Sequence, residues 1–391
     1  MKLVVIGLGQ CGGRIADVFA QMGKRASSHR GIEIITGAFA VNTDEADLTG
    51  LKTIRTDYQH RILLGGRKTG GHGVGKINEL GAQIARESGD KVVDALRVTK
   101  RFYETDAFLT IAASAGGTGS GALPIITELV KERYIDKPVY AMVVLPFEHE
   151  EHAEERCIYN TATCLKSTYS VADAVFLVDN QRYLRKDTTL VRNIEEINRQ
   201  MVEPFYNILC SGEEKKRRHI GAKMVDAGDI IQTLGGWSVI GFGRSEISMW
   251  KNPLSRKQHF RKKGTETHKG IQALDEALSE LSVTCRPQDA RSAIYMLTAP
   301  AKEVNVDIVK EIGDYLKELA GEAMIRSGDY PRERSALNVT LILSQLSDVE
   351  KVRHYYHRLT ESAPTIKKRH REAETKLKEI SEAGKDIPSL L

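Results

Sequence analysis

Apolar runs recur through the first 180 positions of the chain, at Leu3–Ile6, Ile34–Val41, Phe108–Ala112, Val139–Leu145 and Ala174–Val178. Each is followed by a turn rich in Gly, Asn, Asp or Pro, then by a helix-length amphipathic stretch. This alternation predicts an α/β, Rossmann-like parallel sheet with helices on both faces. In such folds ligands sit beyond the carboxyl ends of the strands. From Thr188 to about Leu209 a helical period places Val191, Ile194, Ile197, Met201, Phe205 and Leu209 on one face, which predicts a long connecting helix. Residues 221 to about 360 alternate again, with strands expected at Trp237–Phe242, Ala293–Leu297 and Leu337–Leu343. The expected division is a nucleotide-type domain over 1–187, a connecting helix and basic loop over 188–220, a smaller α/β domain over 221–361, and a charged tail over 362–391. Arg256 to Gly264 reads as an exposed loop.

Length and composition add little beyond a class. With 391 residues, 41% hydrophobic and 28% charged, the chain has the make-up of a globular protein with room for two cores. No apolar run approaches the roughly 18–20 residues needed to cross a bilayer. The first residues pass directly into a strand and glycine motif, so no signal peptide is expected and the cytoplasm is the expected compartment. The five cysteines (Cys11, Cys157, Cys164, Cys210, Cys285) lack Cys-x-x-Cys spacing, so reduced thiols are expected rather than a zinc site or disulfides. The net charge of +5 is concentrated in runs at Lys215–His219, Lys251–Lys263 and Lys367–Arg371. Such runs suit a solvated face or a charged rim between subunits, and no nucleic-acid partner is expected.

The chemistry lies in glycine-rich turns. Ala115-Gly116-Gly117-Thr118-Gly119-Ser120-Gly121 follows the Phe108 strand and precedes a helical pattern expected to open near Leu123-Pro124. Missing Cβ atoms let backbone N–H groups converge, a helix N-terminus adds positive potential, and two hydroxyls complete a polyphosphate cradle. Gly7-Leu8-Gly9-Gln10-Cys11-Gly12 has the G-x-G-x-x-G spacing of a dinucleotide site, with Asp44 available for a ribose. Gly70–Lys76 satisfies seven places of a Walker A loop, but Ile77 stands where a hydroxyl is required. Neither motif explains three glycine loops around one crevice.

Together the loops resemble the nucleotide-binding turns of the tubulin/FtsZ superfamily of filament-forming GTPases, and Lys76-Ile77-Asn78-Glu79-Leu80-Gly81 with Arg326-Ser327-Gly328-Asp329-Tyr330-Pro331 look most like its archaeal CetZ branch. Residues 107–121 are similar to the family's GGGTGSG-type signature, with Ala115 at its first glycine. Gly9-Gln10-Cys11-Gly12, with Gly13 and Arg14, resembles the first phosphate loop. Asn42-Thr43-Asp44 resembles the second, and Gly71-His72-Gly73-Val74-Gly75 the third, which senses the γ-phosphate. Pro146-Phe147 is similar to the start of the fifth loop and Val178-Asp179-Asn180 to the sixth; Ile197-Asn198-Arg199 resembles a helical stretch whose Asn reads guanine. Val225-Asp226-Ala227-Gly228-Asp229 resembles the loop that completes the site of the next subunit.

The resemblance implies GTP/GDP with Mg²⁺ as cofactors, head-to-tail self-association into protofilaments, and hydrolysis between subunits, with Asp226 and Asp229 catalytic and a role in cell shape. Asn180 and Asn198 are then the guanine readers. Glu150 is the ribose candidate with Glu154 as its rival, and Gln10 orients a metal shell held mainly by phosphates and water. The residues themselves leave simpler roles open: Asp226 and Asp229 can cap a helix, and isolated asparagines commonly cap turns. Two other functions compete. One is a GTP-binding scaffold with negligible hydrolysis that docks partners at the membrane or division site through Asp386–Leu391, which resembles an FtsZ tail peptide. The other is an NAD-dependent oxidoreductase, resting on Gly7–Gly12 alone.

Overall fold

The computed structural model describes residues 1–184, 190–246, 259–304, 306–332 and 336–361. The expected tail and its terminal Asp386–Leu391 lie outside these, as do Thr188 and much of the basic run from Lys251. The strands are β1 (Leu3–Leu8), β2 (Ile35–Asn42), β3 (Arg61–Leu63), β4 (Ala107–Ala113), β5 (Val139–Leu145), β6 (Ala174–Asp179), β7 (Gly236–Glu246), β8 (Ser292–Thr298), β9 (Met324–Asp329) and β10 (Ala336–Leu346). They form one sheet in the order β3-β2-β1-β4-β5-β6-β7-β10-β8-β9. Pairing is parallel from β3 through β7. It becomes antiparallel at β7–β10 and β10–β8, and parallel again at β8–β9. The second α/β half therefore continues the first sheet, joined where Ala174, Val175 and Phe176 meet Gly236, Trp237 and Ser238.

The eight expected strands are all present, most of them longer by one to a few residues than their apolar runs. β3 and β9 were not anticipated, because neither carries an apolar run: Arg61-Ile62-Leu63 is three residues long, and Met324–Asp329 is mostly polar. The stretch expected as a loop at Arg256–Gly264 is helical from His259 onward.

All six residues of β1 are buried, as a strand covered on both faces requires. Val4, Ile6 and Leu8 enter one apolar cluster with Phe39, Ile84 and Leu123. Leu3 and Val5 point the other way, into a cluster with Phe19, Met201 and Phe205. The long helix Leu190–Ser211 contributes to that second core through Ile197, Met201, Phe205 and Leu209, on the face its periodicity predicted. Phe205 meets the rings of Phe19 at 5.6 Å and Phe176 at 5.3 Å. Four such side chains, at roughly 1.5–3 kcal/mol each, fix the helix across the sheet.

Candidate functional site

Strand order reverses at β1, whose neighbours β2 and β4 lead the chain in opposite directions. That is a topological switch point, and a cavity of about 350 Å³ opens there beyond the strand ends. Two helices begin at it, Gly9–Arg30 and Thr118–Arg133. Neither has a side-chain N-cap or an acidic residue in its first turn, so their first N–H groups lack the usual local acceptors. Two uncapped N-termini aimed at one cavity make an anion site. The second helix starts at Thr118 rather than near Leu123-Pro124. Thr118 to Gly121 thus form its first turn, and Pro124 lies inside it.

Within the signature, Ala115, Gly116, Gly117, Thr118 and Gly119 line the cavity, and a methyl group at Gly116 would meet nothing within 4 Å. Ser120 and Gly121 do not line it. The Ser120 hydroxyl donates to the carbonyl of Gly116, and Gly121 lets two helices touch, since a methyl there would lie 2.1 Å from Asn78 O. The first loop contributes Gly9, Gln10, Cys11 and Arg14. Gly12 instead faces Ile111 O, where a methyl would approach to 2.1 Å, and Gly13 packs toward Ala40 and Leu51. Of the third loop only Gly73 reaches the cavity; Gly71 and Gly75 shape the loop through positive φ. The Walker-like Lys76 pairs with Glu154 at 2.7 Å and does not line the cavity.

Asn42 and Asp44 line the cavity, whereas Thr43 is buried beside it and shares a 2.6 Å hydroxyl contact with Thr118. The Asn42 amide donates to Asp47 (3.0 Å), and its oxygen accepts from the N–H groups of Thr43 and Asp44. Asp47 also accepts from Gln10 at 2.6 Å. The charged side chains of the lining are therefore three carboxylates, Asp44, Asp47 and Glu150, against one guanidinium, Arg14. Polyphosphate added to such a set needs a further cation, and hard carboxylate and amide oxygens suit Mg²⁺. No cluster of three or more metal-ligating side chains occurs among the described residues, so most ligands would have to come from phosphate and water.

The other end of the cavity is more apolar, with Leu145, Pro146, Phe147, Ile194 and Ile197. Asn180 and Asn198 line it too, and neither side chain holds a hydrogen bond among the described residues. Two free amides beside flat apolar surface suit a planar heterocycle with mixed donors and acceptors. Glu150 lines the cavity and accepts from Phe147 N at 3.0 Å, while its rival Glu154 is held by Lys76 outside it. The geometry therefore favours Glu150. Burial pushes the Cys11 thiol up to about 12, so it is neutral.

Asp226 and Asp229 lie elsewhere. Asp226 caps the helix Ala227–Thr233, accepting from Asp229 N at 2.9 Å, and Asp229 accepts from Asp226 N at 3.4 Å. Arg326 approaches Asp229 at 3.7 Å. Their location follows from the long helix. Ile194, Ile197 and Asn198 reach the cavity, whereas Gly212, just past the helix end, abuts Asp226, a methyl on it falling 3.0 Å from Asp226 Cα. At 1.5 Å per residue, the path from Asn198 to Gly212 is about 20 Å.

Residues 2–186 match the Tubulin/FtsZ family, GTPase domain, and residues 187–361 match Tubulin-like CetZ, C-terminal domain. Tubulin-like protein CetZ1 of Haloferax volcanii is 32% identical over 349 residues, covering 85% of this chain and 84% of the relative. The chain belongs to the tubulin-like CetZ family. A CetZ of Thermococcus kodakarensis is 28% identical over 390 residues, covering 97% of this chain and 91% of its own. Among solved structures, the GDP-bound monomer of H. volcanii CetZ1 superposes with a TM-score of 0.79 at 28% identity, covering 93% of this chain and all of that one. The GTPγS-bound protofilament of H. volcanii CetZ2 gives 0.80 at 26% identity, covering 94% and 100%. CetZ membership takes Gly7–Gly12 out of the dinucleotide reading, since those glycines lie inside the GTPase-domain match.

Two features of this CetZ-family site had escaped the sequence. Asp47 sits three residues after the Asp44 cap of a five-residue helix, and no glycine or signature marks it. Asn160 ties loops together from the helix Glu155–Val171, far from any motif. In a CetZ chain such as this, spacing alone gives neither away.

Proposed function

We propose that this chain binds GTP and GDP with Mg²⁺ in the β1/β4 cavity and assembles head to tail into protofilaments. In this reading hydrolysis proceeds when Asp226 and Asp229 of a second copy close over the phosphates. The observation that carries it is the separation just described: one helix holds the base-reading end of the cavity near its start and abuts the paired aspartates past its end, about 20 Å away. One chain cannot bring both together. A contact between unlike surfaces of two copies also propagates as an open filament. The GDP- and GTPγS-bound CetZ structures, one of them a protofilament, support guanine nucleotide and self-association here.

The roles follow. N–H groups of the two uncapped helices and of the signature loop hold the phosphates, and Asn180 and Asn198 read guanine. Glu150 takes the ribose, and Gln10, fixed by Asp47, would hold the metal through its water shell together with Asp44. Mg²⁺ held there would offset the charge of the phosphates. Asp226 and Asp229 of the neighbour orient and deprotonate the attacking water. By family, the physiological setting is archaeal cell-shape control, with the protein acting in the cytoplasm or at the inner face of the membrane. No described helix is long and apolar enough to cross a membrane. A scaffold with negligible hydrolysis is the alternative, and the reciprocal cap that engages both aspartates is what favours it.

The deciding measurement is GTP turnover per molecule against protein concentration. It rises with concentration on the proposed reading, and Asp229→Ala lowers it about 10²–10⁴-fold while leaving the GTP Kd unchanged. A turnover per molecule independent of concentration removes catalysis between copies.

A further inference from the structure

The buried Asn160 has no place in the nucleotide chemistry so far. It is fully enclosed on the helix Glu155–Val171. Its amide nitrogen lies 2.9 Å from Lys76 O, 3.0 Å from Ala115 O and 3.0 Å from Gly116 O. Three carbonyls around one side-chain end admit only the NH₂ group there, so the donor assignment is fixed by its surroundings. The other end, Oδ1, is buried without a partner. A half-satisfied buried amide costs about 1–3 kcal/mol relative to a fully paired one, so stability alone does not account for it.

What the amide does is orient peptides. A planar trans peptide holds its C=O and the next N–H on opposite edges. Fixing the carbonyls of Ala115 and Gly116 against Asn160 turns the N–H groups of Gly116 and Gly117 the other way, toward the cavity that both residues line. Those two N–H groups make no hydrogen bond among the described residues. The Ser120 hydroxyl also donates to Gly116 O and reaches Gly117 O at 3.4 Å, so this carbonyl edge is held from two sides. The third carbonyl belongs to Lys76, a non-glycine residue at φ +61° that closes the third loop. That conformation costs a non-glycine residue about 1–2 kcal/mol and persists where its surroundings hold it.

We propose that Asn160 is the positioning residue of the phosphate site: its amide aims the Gly116 and Gly117 N–H groups at the phosphates and latches the third loop to the signature loop. This rests on the reading that the 115–119 segment receives phosphate. It predicts an effect that depends on phosphate and not on the base.

The test compares the full-length wild type with Asn160→Leu, which keeps the size, adds no charge and removes the donor from the three carbonyls. GTP, GDP and guanosine are titrated calorimetrically at a temperature where both proteins are folded. Expected is a loss of at least tenfold in GTP and GDP affinity with guanosine binding unchanged. An equal loss for all three ligands, or none, overturns the assignment, since a merely structural residue would not separate phosphate from base. Should Asn160→Leu fail to fold, Ser120→Ala removes the other donor to Gly116 O. It must then show the same phosphate-dependent pattern at smaller size, and a loss common to guanosine, or no loss, overturns the proposal. If the wild type binds no guanine nucleotide, the reading of the cavity falls and takes this one with it. If the wild type binds and the Leu variant binds equally, the Asn160 assignment alone falls.

Discussion

Two glycines of the same signature should respond in opposite ways to one added methyl group. At Gly116 the new Cβ meets nothing within 4 Å, and the residue lines the cavity. Gly116→Ala therefore leaves packing intact, and reduced freedom of the unfolded chain changes stability by less than about 1 kcal/mol. The methyl instead occupies space that a phosphate oxygen needs to reach the backbone. Losing one hydrogen bond to a charged group costs about 1.5–3 kcal/mol, which is about 10–100-fold in Kd. At Gly121 the Cβ would lie 2.1 Å from Asn78 O and 2.6 Å from Ala82 N, both backbone atoms of the neighbouring helix. Relief requires the two helices to part by roughly 1 Å, an overpacking cost of about 1–3 kcal/mol. Thermal unfolding without nucleotide, followed by titration with a fluorescent GTP analogue, separates the two. Gly116→Ala should keep its Tm and lose affinity. Gly121→Ala should lose Tm, and at a temperature where it is folded it should bind more nearly like the wild type. A Gly116→Ala protein that binds as tightly as wild type, or whose affinity and Tm fall together, refutes the assignment of open space at Gly116 to phosphate.

Chelating Mg²⁺ with EDTA should weaken GTP binding by about tenfold or more, since Asp44 and Asp47 then face phosphate uncompensated, and Asp47→Asn should reduce that sensitivity; binding indifferent to EDTA counts against the cation. Glu214 supplies a pH test. Burial alone would push its carboxyl up, but Lys216 N–H, Arg30 and the Tyr330 hydroxyl outweigh it and hold the group below its usual 4.5. Its stabilisation is therefore complete above that pH and disappears as pH falls through the lower native value. Glu214→Gln should flatten the acid limb of a stability–pH curve, and an unchanged limb would show that the buried contact to Arg30 carries no such linkage.

The fold was legible where one physical requirement imposed one pattern. Strands buried on both faces must be apolar throughout, so β1, β4, β5 and β6 stood out, whereas β3 and β9 at the sheet edges face no such demand. The turns were legible because close backbone approach leaves only glycine, but that signal does not say what is approached. Gly12 and Gly121 make room for Ile111 O and Asn78 O, while Gly116 leaves room in the cavity, and all three read alike in the sequence. Asn160 was invisible for a further reason. Its partners are carbonyls of residues 44 to 84 positions away, a relation that leaves no local spacing.

The same distinction bears on how the proposed site works. Its phosphate end is built almost wholly from backbone N–H groups and two helix starts, while the ionisable side chains around it are mostly acidic. Backbone donors cannot be titrated and, once their carbonyls are fastened, cannot turn. Such a cradle costs little reorganisation when the charge shifts between phosphates during transfer, which is what electrostatic catalysis requires. Acidic neighbours repel bare polyphosphate, so on the proposed reading the nucleotide would enter together with its cation. Each of the three carboxylates lining the cavity already accepts hydrogen bonds there, Glu150 from Phe147 N, Asp44 from Asp47 N, and Asp47 from Gln10 and Asn42, and on the proposed reading the base for the attacking water comes from the neighbouring copy. On the proposed reading, a pocket arranged in this way would hydrolyse slowly until another copy brings Asp226 and Asp229, so that turnover would be coupled to assembly.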